Sequence, residues 1–304
     1  VKKRPLITLG VVYAAFLVVG LIVMSRNRTF ALFDTAGTIA SQEKGLILFT
    51  VLLGGTIVIP VLVMTFAIAW HYREGNTKAV YRPEWSGNRL AESIWWLIPT
   101  VIIAMVGVVI WQSSHALDPY KTLTSTKPAI NVQVVALDWR WLFIYPDAGI
   151  ATLSYLKIPA GSPVNFEITS DAPMNSFWIP RLSGQIYAMS GMSTRLSVEA
   201  DHPGDYKGQS ANLSGAGFAG MEFVASSVSQ PDFNTWVLES QKTGAMLTRA
   251  SYDGLSHPSQ DASRQTFKLM DNNLYNEIID KYMAPPSSSK SPAAPMKNMN
   301  MGAM

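Results

Sequence analysis

The chain has 304 residues, of which 48% are hydrophobic and only 15% charged, a balance that indicates a membrane anchor joined to one soluble domain of ordinary size. Its net charge of +3 is small and dispersed, which argues against nucleic acid as a partner. The absence of cysteine excludes a disulfide framework, a thiolate metal site and a lipid-modified cysteine.

The first apolar stretch, LITLGVVYAAFLVVGLIVM (6–24), follows Lys2, Lys3 and Arg4, so residues 1–30 read as an export signal peptide or an uncleaved signal anchor. Residues 45–112 then form a transmembrane helical hairpin, with spans at 46–70 and 94–111, each long enough to cross a hydrocarbon core of about 30 Å. Arg73, Lys78, Arg82 and Arg89 in the connecting loop place that loop in the cytoplasm, and everything after residue 112 outside. Trp70, Tyr72, Trp95, Trp96 and Trp111 mark the ends of the spans, and Pro60 and Pro99 lie within them.

Between 127 and 228 the pattern changes to short runs of β-branched and aromatic residues: AINVQVVAL, ATLSYLKI, PVNFEITS, STRLSVEA and MEFVASSV. Their alternation and regular turn signals predict one all-β sandwich or small barrel. Residues 229–283 read as a helical C-terminal extension: Ser229 caps its start, Phe233, Trp236 and Val237 form a docking stripe, and 259–283 carries a weaker amphipathic pattern. The Pro-, Ser- and Met-rich end (284–304) reads as a disordered tail, with weak Cu(I) binding by Met296, Met299, Met301 and Met304 as the less favoured alternative.

Several candidate sites fail on context. GAGFAG (215–220) matches a dinucleotide fingerprint, yet a strand-like run follows it where a phosphate loop must open a helix. His71 and His115 follow successive antiparallel spans, so they lie on opposite faces of the bilayer and cannot share a haem. A blue-copper centre needs a thiolate and two histidines, whereas the β-domain offers only His202, read as a turn residue.

Taken together, the hairpin, the DWRW motif (138–141), NSFWIPRLSGQIYAMSG (175–191) and GQSANLSGAGFAGM (208–221) resemble subunit II of the haem-copper respiratory oxidases, over roughly residues 45–228. The resemblance implies a cupredoxin-like fold for the β-domain. In members that oxidise cytochrome c, a histidine and a loop of pattern C-x-E-x-C-x3-H-x2-M hold two coppers. Here those positions fall on Asn175, Ser210, Asn212, Ser214, Phe218 and Met221, so only Met221 remains as a potential ligand. Hydroxyls and amides offer no anionic soft donor, and an aromatic ring at 218 would fill space where an imidazole belongs.

That departure resembles the quinol oxidase branch, the cytochrome bo type in particular. It implies no cofactor in this chain, with haems and copper in partner subunit I, and ubiquinol as the electron donor. It also implies further subunits, an inner-membrane location with the C-terminal domain on the periplasmic side, and no cytochrome c docking. Acidic and basic residues nearly balance across the β-domain, which gives no negative field for such docking, and Trp139 and Trp141 read as surface packing against the partner subunit. Glu92, at the cytoplasmic mouth of the third span, matches a position where the family places a carboxylate that admits protons to subunit I. The plainer alternative is an interfacial glutamate that only aids solubility. The rival for the whole chain is a membrane-tethered cupredoxin-like copper-handling or assembly module.

Overall fold

A computed structural model describes residues 19–20, 22–23, 30–80, 83–261 and 263–283. Most of the 6–24 stretch, Arg82, and the tail with Met296, Met299, Met301 and Met304 lie outside the described residues.

Two long helices come first, α1 (Thr38–His71) and α2 (Arg89–Ala116). At 34 residues α1 is about 51 Å long, so its first turns stand clear of a hydrocarbon core of about 30 Å. Both helices are apolar along their middle stretches, yet α2 buries no residue and α1 buries only Ala40. Phe66 and Ile103 are among the side chains left exposed, a surface suited to lipid or to a partner subunit rather than to water. The start of α1 faces the end of α2 across a cleft lined by Gln42, Leu46, Gln112 and Ala116. His71 and His115 therefore sit at opposite ends of the hairpin, as the sequence predicts.

The rest of the chain contributes β1 (Ile130–Leu137), β2 (Arg140–Tyr145), β3 (Ile150–Leu153), β4 (Tyr155–Pro159), β5 (Val164–Ser170), β6 (Asn175–Trp178) and β7 (Ile186–Ala188). It continues with β8 (Thr194–Val198), β9 (Gly204–Ser210), β10 (Glu222–Val228), α3 (Gln230–Thr243), β11 (Ala245–Leu247), α4 (Arg249–Ser256), β12 (Gln265–Leu269) and α5 (Leu274–Met283). A seven-stranded sheet runs β11-β12-β3-β2-β1-β5-β8 and a five-stranded sheet runs β4-β10-β9-β6-β7. The β1–β5 and β4–β10 pairs are parallel, so the chain crosses repeatedly between the layers of a sandwich.

ATLSYLKI is two strands in different sheets. Ser154, at φ 60°, turns the chain from β3 into β4 and donates its N–H to Trp141 O at 2.8 Å. The half-buried runs fill the space between the sheets with Trp141, Phe143, Phe166, Phe177 and Phe223. A second core lies on the outer face of the seven-stranded sheet, where Leu142 and Ile144 meet Tyr252, Phe267, Tyr275 and Ile278. Each such side chain contributes about 1.5–3 kcal/mol when fully buried. Strand β2 is consequently buried on both faces.

Two sequence expectations need correction here. Residues 259–283 are not continuously helical, because 265–269 forms β12, antiparallel to β3 and parallel to β11. The open edge of β3 captures QTFKL, and tertiary pairing overrides the weak helical pattern. Trp141 is not a surface residue: it is 0% exposed and packs edge-on against Phe177 at 5.4 Å and Phe223 at 5.9 Å. By contrast α3 follows the sequence closely, with Ser229 Oγ accepting from Asp232 N, Phe233 buried, and Trp236 and Val237 packed on the core.

The domain is fastened to α1. Ala36 donates to Arg181 O at 2.8 Å, Ala40 to Leu182 O at 3.2 Å, and Ala36 O accepts from Asp201 N at 2.9 Å. Arg181 pairs with Asp34 at 2.9 Å and lies over the Tyr206 ring, and Gly184 N donates to Glu43 Oε1 at 3.0 Å. A Cβ on Gly37 would stand 2.5 Å from Glu199 O and 2.9 Å from Leu182 O, so the seam closes only around glycine.

Candidate functional site

The positions where the resemblance places copper ligands come from three neighbouring pieces of chain: the start of β6, the end of β9 and the loop into β10. Strands β6 and β9 are antiparallel with Phe177 opposite Ser210, which brings Asn175 and Ser210 to the same end of the sheet. Ser210 Oγ donates to Asn175 Oδ1 at 3.0 Å, and both residues are buried. Asn175 Nδ2 donates to Pro173 O at 2.7 Å and Asn212 Nδ2 to Met174 O at 2.8 Å, while Ala211 N reaches Ser176 O at 3.0 Å. These bonds join polar groups to one another, so the amide and hydroxyl are already satisfied without an ion.

Met221 is 1% exposed and belongs to the apolar core between the sheets, with its backbone carbonyl accepting from Ser210 N at 3.2 Å. Phe218 opens a single 3-10 turn, Phe218–Gly220, and is half-buried. The aromatic ring pressed against this loop is Trp139, which is half-buried and keeps part of its surface open. Trp139 holds φ 68° at the β1–β2 turn and donates from Nε1 to Ser214 O at 3.3 Å. A Cβ on Gly217 would fall 2.3–2.6 Å from the Trp139 ring, and one on Gly215, at φ 123°, would stand 3.1 Å from it. Two glycines of GAGFAG thus serve a tryptophan, whereas a Cβ on Gly220 would meet nothing within 4 Å. Just before this loop, DYKGQS (205–210) lies in strand β9, antiparallel to β10.

Among the described residues no group of three or more His, Asp and Glu side chains is placed to hold a metal ion. His202 lies exposed in the bend before β9, its carbonyl accepting from Tyr206 Oη at 2.7 Å.

Glu92 stands apart from this cluster, at the opposite end of the 28-residue helix α2, about 40 Å long. It is exposed in the first turn, where its N–H donates to Asn88 O at 2.9 Å. Asn88 caps that turn by accepting from Leu90 N at 3.0 Å and Ala91 N at 3.2 Å. A carboxylate there also complements the positive end of the helix dipole. Sequence reasoning passed over Asp171, Arg140 and Arg181, which prove to be fixed contacts. Arg140 is 7% exposed and its Nη2 donates to Leu255 O at 2.7 Å.

The model for the cytochrome c oxidase subunit II periplasmic domain matches residues 148–228, and that for the COX aromatic rich motif matches 241–286. The chain is 45% identical over 253 residues to cytochrome bo(3) ubiquinol oxidase subunit 2 of Pseudomonas putida, covering 83% of this chain and 81% of that protein. It is 43% identical over 252 residues to ubiquinol oxidase subunit 2 of Acetobacter aceti, covering 82% and 81%. Among solved structures it is similar to the periplasmic domain of subunit II of cytochrome oxidase of Bradyrhizobium japonicum, at 20% identity and a TM-score of 0.38, over 40% of this chain and 98% of that one.

Proposed function

Because the chain belongs to the ubiquinol oxidase subunit 2 family, and is a quinol oxidase subunit with an outer-side β-domain, we propose that it serves the oxidase without carrying electrons itself. In this reading the haems and copper lie in subunit I, where ubiquinol delivers electrons to oxygen. The present chain sits in the inner membrane, clamps subunit I from the periplasmic side, and binds no copper. Its helices supply an uncovered apolar face for that partner. The observation that carries the proposal is the Ser210–Asn175 hydrogen bond at 3.0 Å, which closes neutral hard groups on each other where soft anionic donors would be required.

Glu92 is assigned to proton uptake at the cytoplasmic end of α2. A carboxylate exposed at the membrane edge exchanges protons with water and raises their local supply to a neighbouring channel. Its position in a capped first turn means that its replacement by glutamine leaves the helix start intact.

The copper-free reading is tested by the copper-to-haem ratio of the purified complex, in the wild type and after Ser210→Ala or Met221→Leu. The ratio stays constant if no copper resides in this chain. A loss of copper in either variant contradicts the proposal.

A further inference from the structure

Asp171 follows β5, and its side chain is fully shielded from solvent. Three groups from the C-terminal segment converge on it. Lys281 Nζ and Tyr282 Oη each donate to Oδ1 at 2.6 Å, and Tyr252 Oη donates to Oδ2 at 2.7 Å. Its own N–H donates to Ala136 O at 2.9 Å. An ionised carboxylate taken out of water is tolerated only with such partners, and all three side-chain donors come from α4 and α5. Asp138 of the β1–β2 turn is near enough to Tyr282 to act on it electrostatically, and Arg249 lies over the Tyr252 ring.

What Asp171 holds reaches further than its own contacts. The turn it opens contains Met174 and Asn175, which accept from Asn212 and Ser210 of the β9–β10 loop. Ser190 Oγ ties the β7–β8 turn to Ala172 O at 3.0 Å. The same β7–β8 turn receives α5 directly: Gly191, at φ 73°, would bring a Cβ within 3.2 Å of Tyr282 Cβ, and Ser193 Oγ bonds Tyr275 Oη at 2.9 Å. Three turns at one end of the sandwich are thereby connected to a segment that follows them in sequence by tens of residues.

We propose that residues 245–283 act as a strap locked by Asp171, which holds the 171–175 and 189–193 turns and, through them, stiffens the 211–220 loop. The inference stands on contacts within this chain and depends neither on the electron donor nor on copper content. Without the lock the strap would remain attached through the β12–β3 pairing at 265–269, while α5, which follows it, detaches.

Hydrogen–deuterium exchange on the purified oxidase complex tests it, comparing the wild type with Asp171→Asn and with the pair Lys281→Met and Tyr282→Phe. The expected result is that exchange in 171–175 and 211–220 rises roughly tenfold or more together with that in 274–283, while β10 stays protected. The paired variant leaves Asp171 and Tyr252 in place and decides the matter if Asp171→Asn fails to assemble. Faster exchange confined to 274–283 makes the segment a passive appendage and overturns the proposal. A uniform rise that includes β10 overturns it as well, because Asp171 then supports the whole domain rather than a lock.

Discussion

Replacing Gly217 by alanine tests how the 211–220 loop is built. The new Cβ would lie 2.3 Å from Cδ2, 2.5 Å from Cγ and 2.6 Å from Cε3 of Trp139, all below any tolerable carbon–carbon contact. The indole must move, and in moving it loses the 3.3 Å bond from Nε1 to Ser214 O, worth about 1 kcal/mol. Overpacking adds about 1–3 kcal/mol, at the lower end because Trp139 is only partly buried and can swing outward. The sum is about 2–3 kcal/mol. Gly220 is the matched control: the same substitution there meets nothing within 4 Å and stays within about 0.5 kcal/mol. Local opening followed by hydrogen exchange in the intact complex reads the difference, since about 2 kcal/mol corresponds to roughly 30-fold faster exchange in the 211–220 loop. Equal exchange in the Gly217→Ala and Gly220→Ala complexes would show that the Trp139 ring does not rest on the loop and would refute the packing argument.

Gly37→Ala meets backbone carbonyls of Glu199 and Leu182 that cannot rotate away, so the seam between α1 and the domain opens at a cost of about 2–4 kcal/mol, detected as faster proteolysis between residues 30 and 40 in the assembled complex. Glu92→Gln slows oxygen reduction coupled to proton uptake while the KM for ubiquinol holds, and wild-type turnover in that variant rules out a role for the carboxylate. Acid affects Asp171 in a defined direction. Burial alone would raise its pKa, but the bonds from Lys281, Tyr282 and Tyr252 outweigh it and hold the carboxyl below the ordinary aspartate value. The stability it contributes is therefore present above the unfolded value, about pH 3.9, and is lost as pH falls through the lower folded value. Acid titration of the wild type followed by exchange in 274–283 shows protection maintained at pH 5 and lost only in that more acidic window, and loss near neutrality contradicts the assignment.

Hydropathy made the two helices readable directly, because the runs 46–70 and 94–111 carry no charged residue and are long enough to cross a hydrocarbon core. Alternation likewise exposed β10, which is buried on one face, and the first residues of β5, where buried and half-buried positions alternate. Strand β2 escaped detection for the opposite reason: RWLFIY is buried at every position, since the C-terminal segment covers the face that would otherwise meet water. The burial of Arg140 had no local sign either, because its partner is a backbone carbonyl 115 residues away, beyond the reach of any local pattern. The substituted ligand positions were legible one by one, yet their pairing was not. That Ser210 bonds Asn175 depends on the β6–β9 register, and that Trp139, rather than Phe218, rests on the glycines depends on a turn 75 residues earlier in the chain. Asp171 carried no signal in sequence, because its partners arrive from 81 to 111 residues further on.

The proposed role, a subunit that carries no electrons beside a subunit I that takes them from ubiquinol, rests on which donor the complex accepts. Oxygen uptake by the purified complex, measured with ubiquinol and separately with reduced cytochrome c, tests that role most directly. Sustained uptake with ubiquinol and none above background with cytochrome c is the expected result, and turnover supported by cytochrome c would overturn the proposed role.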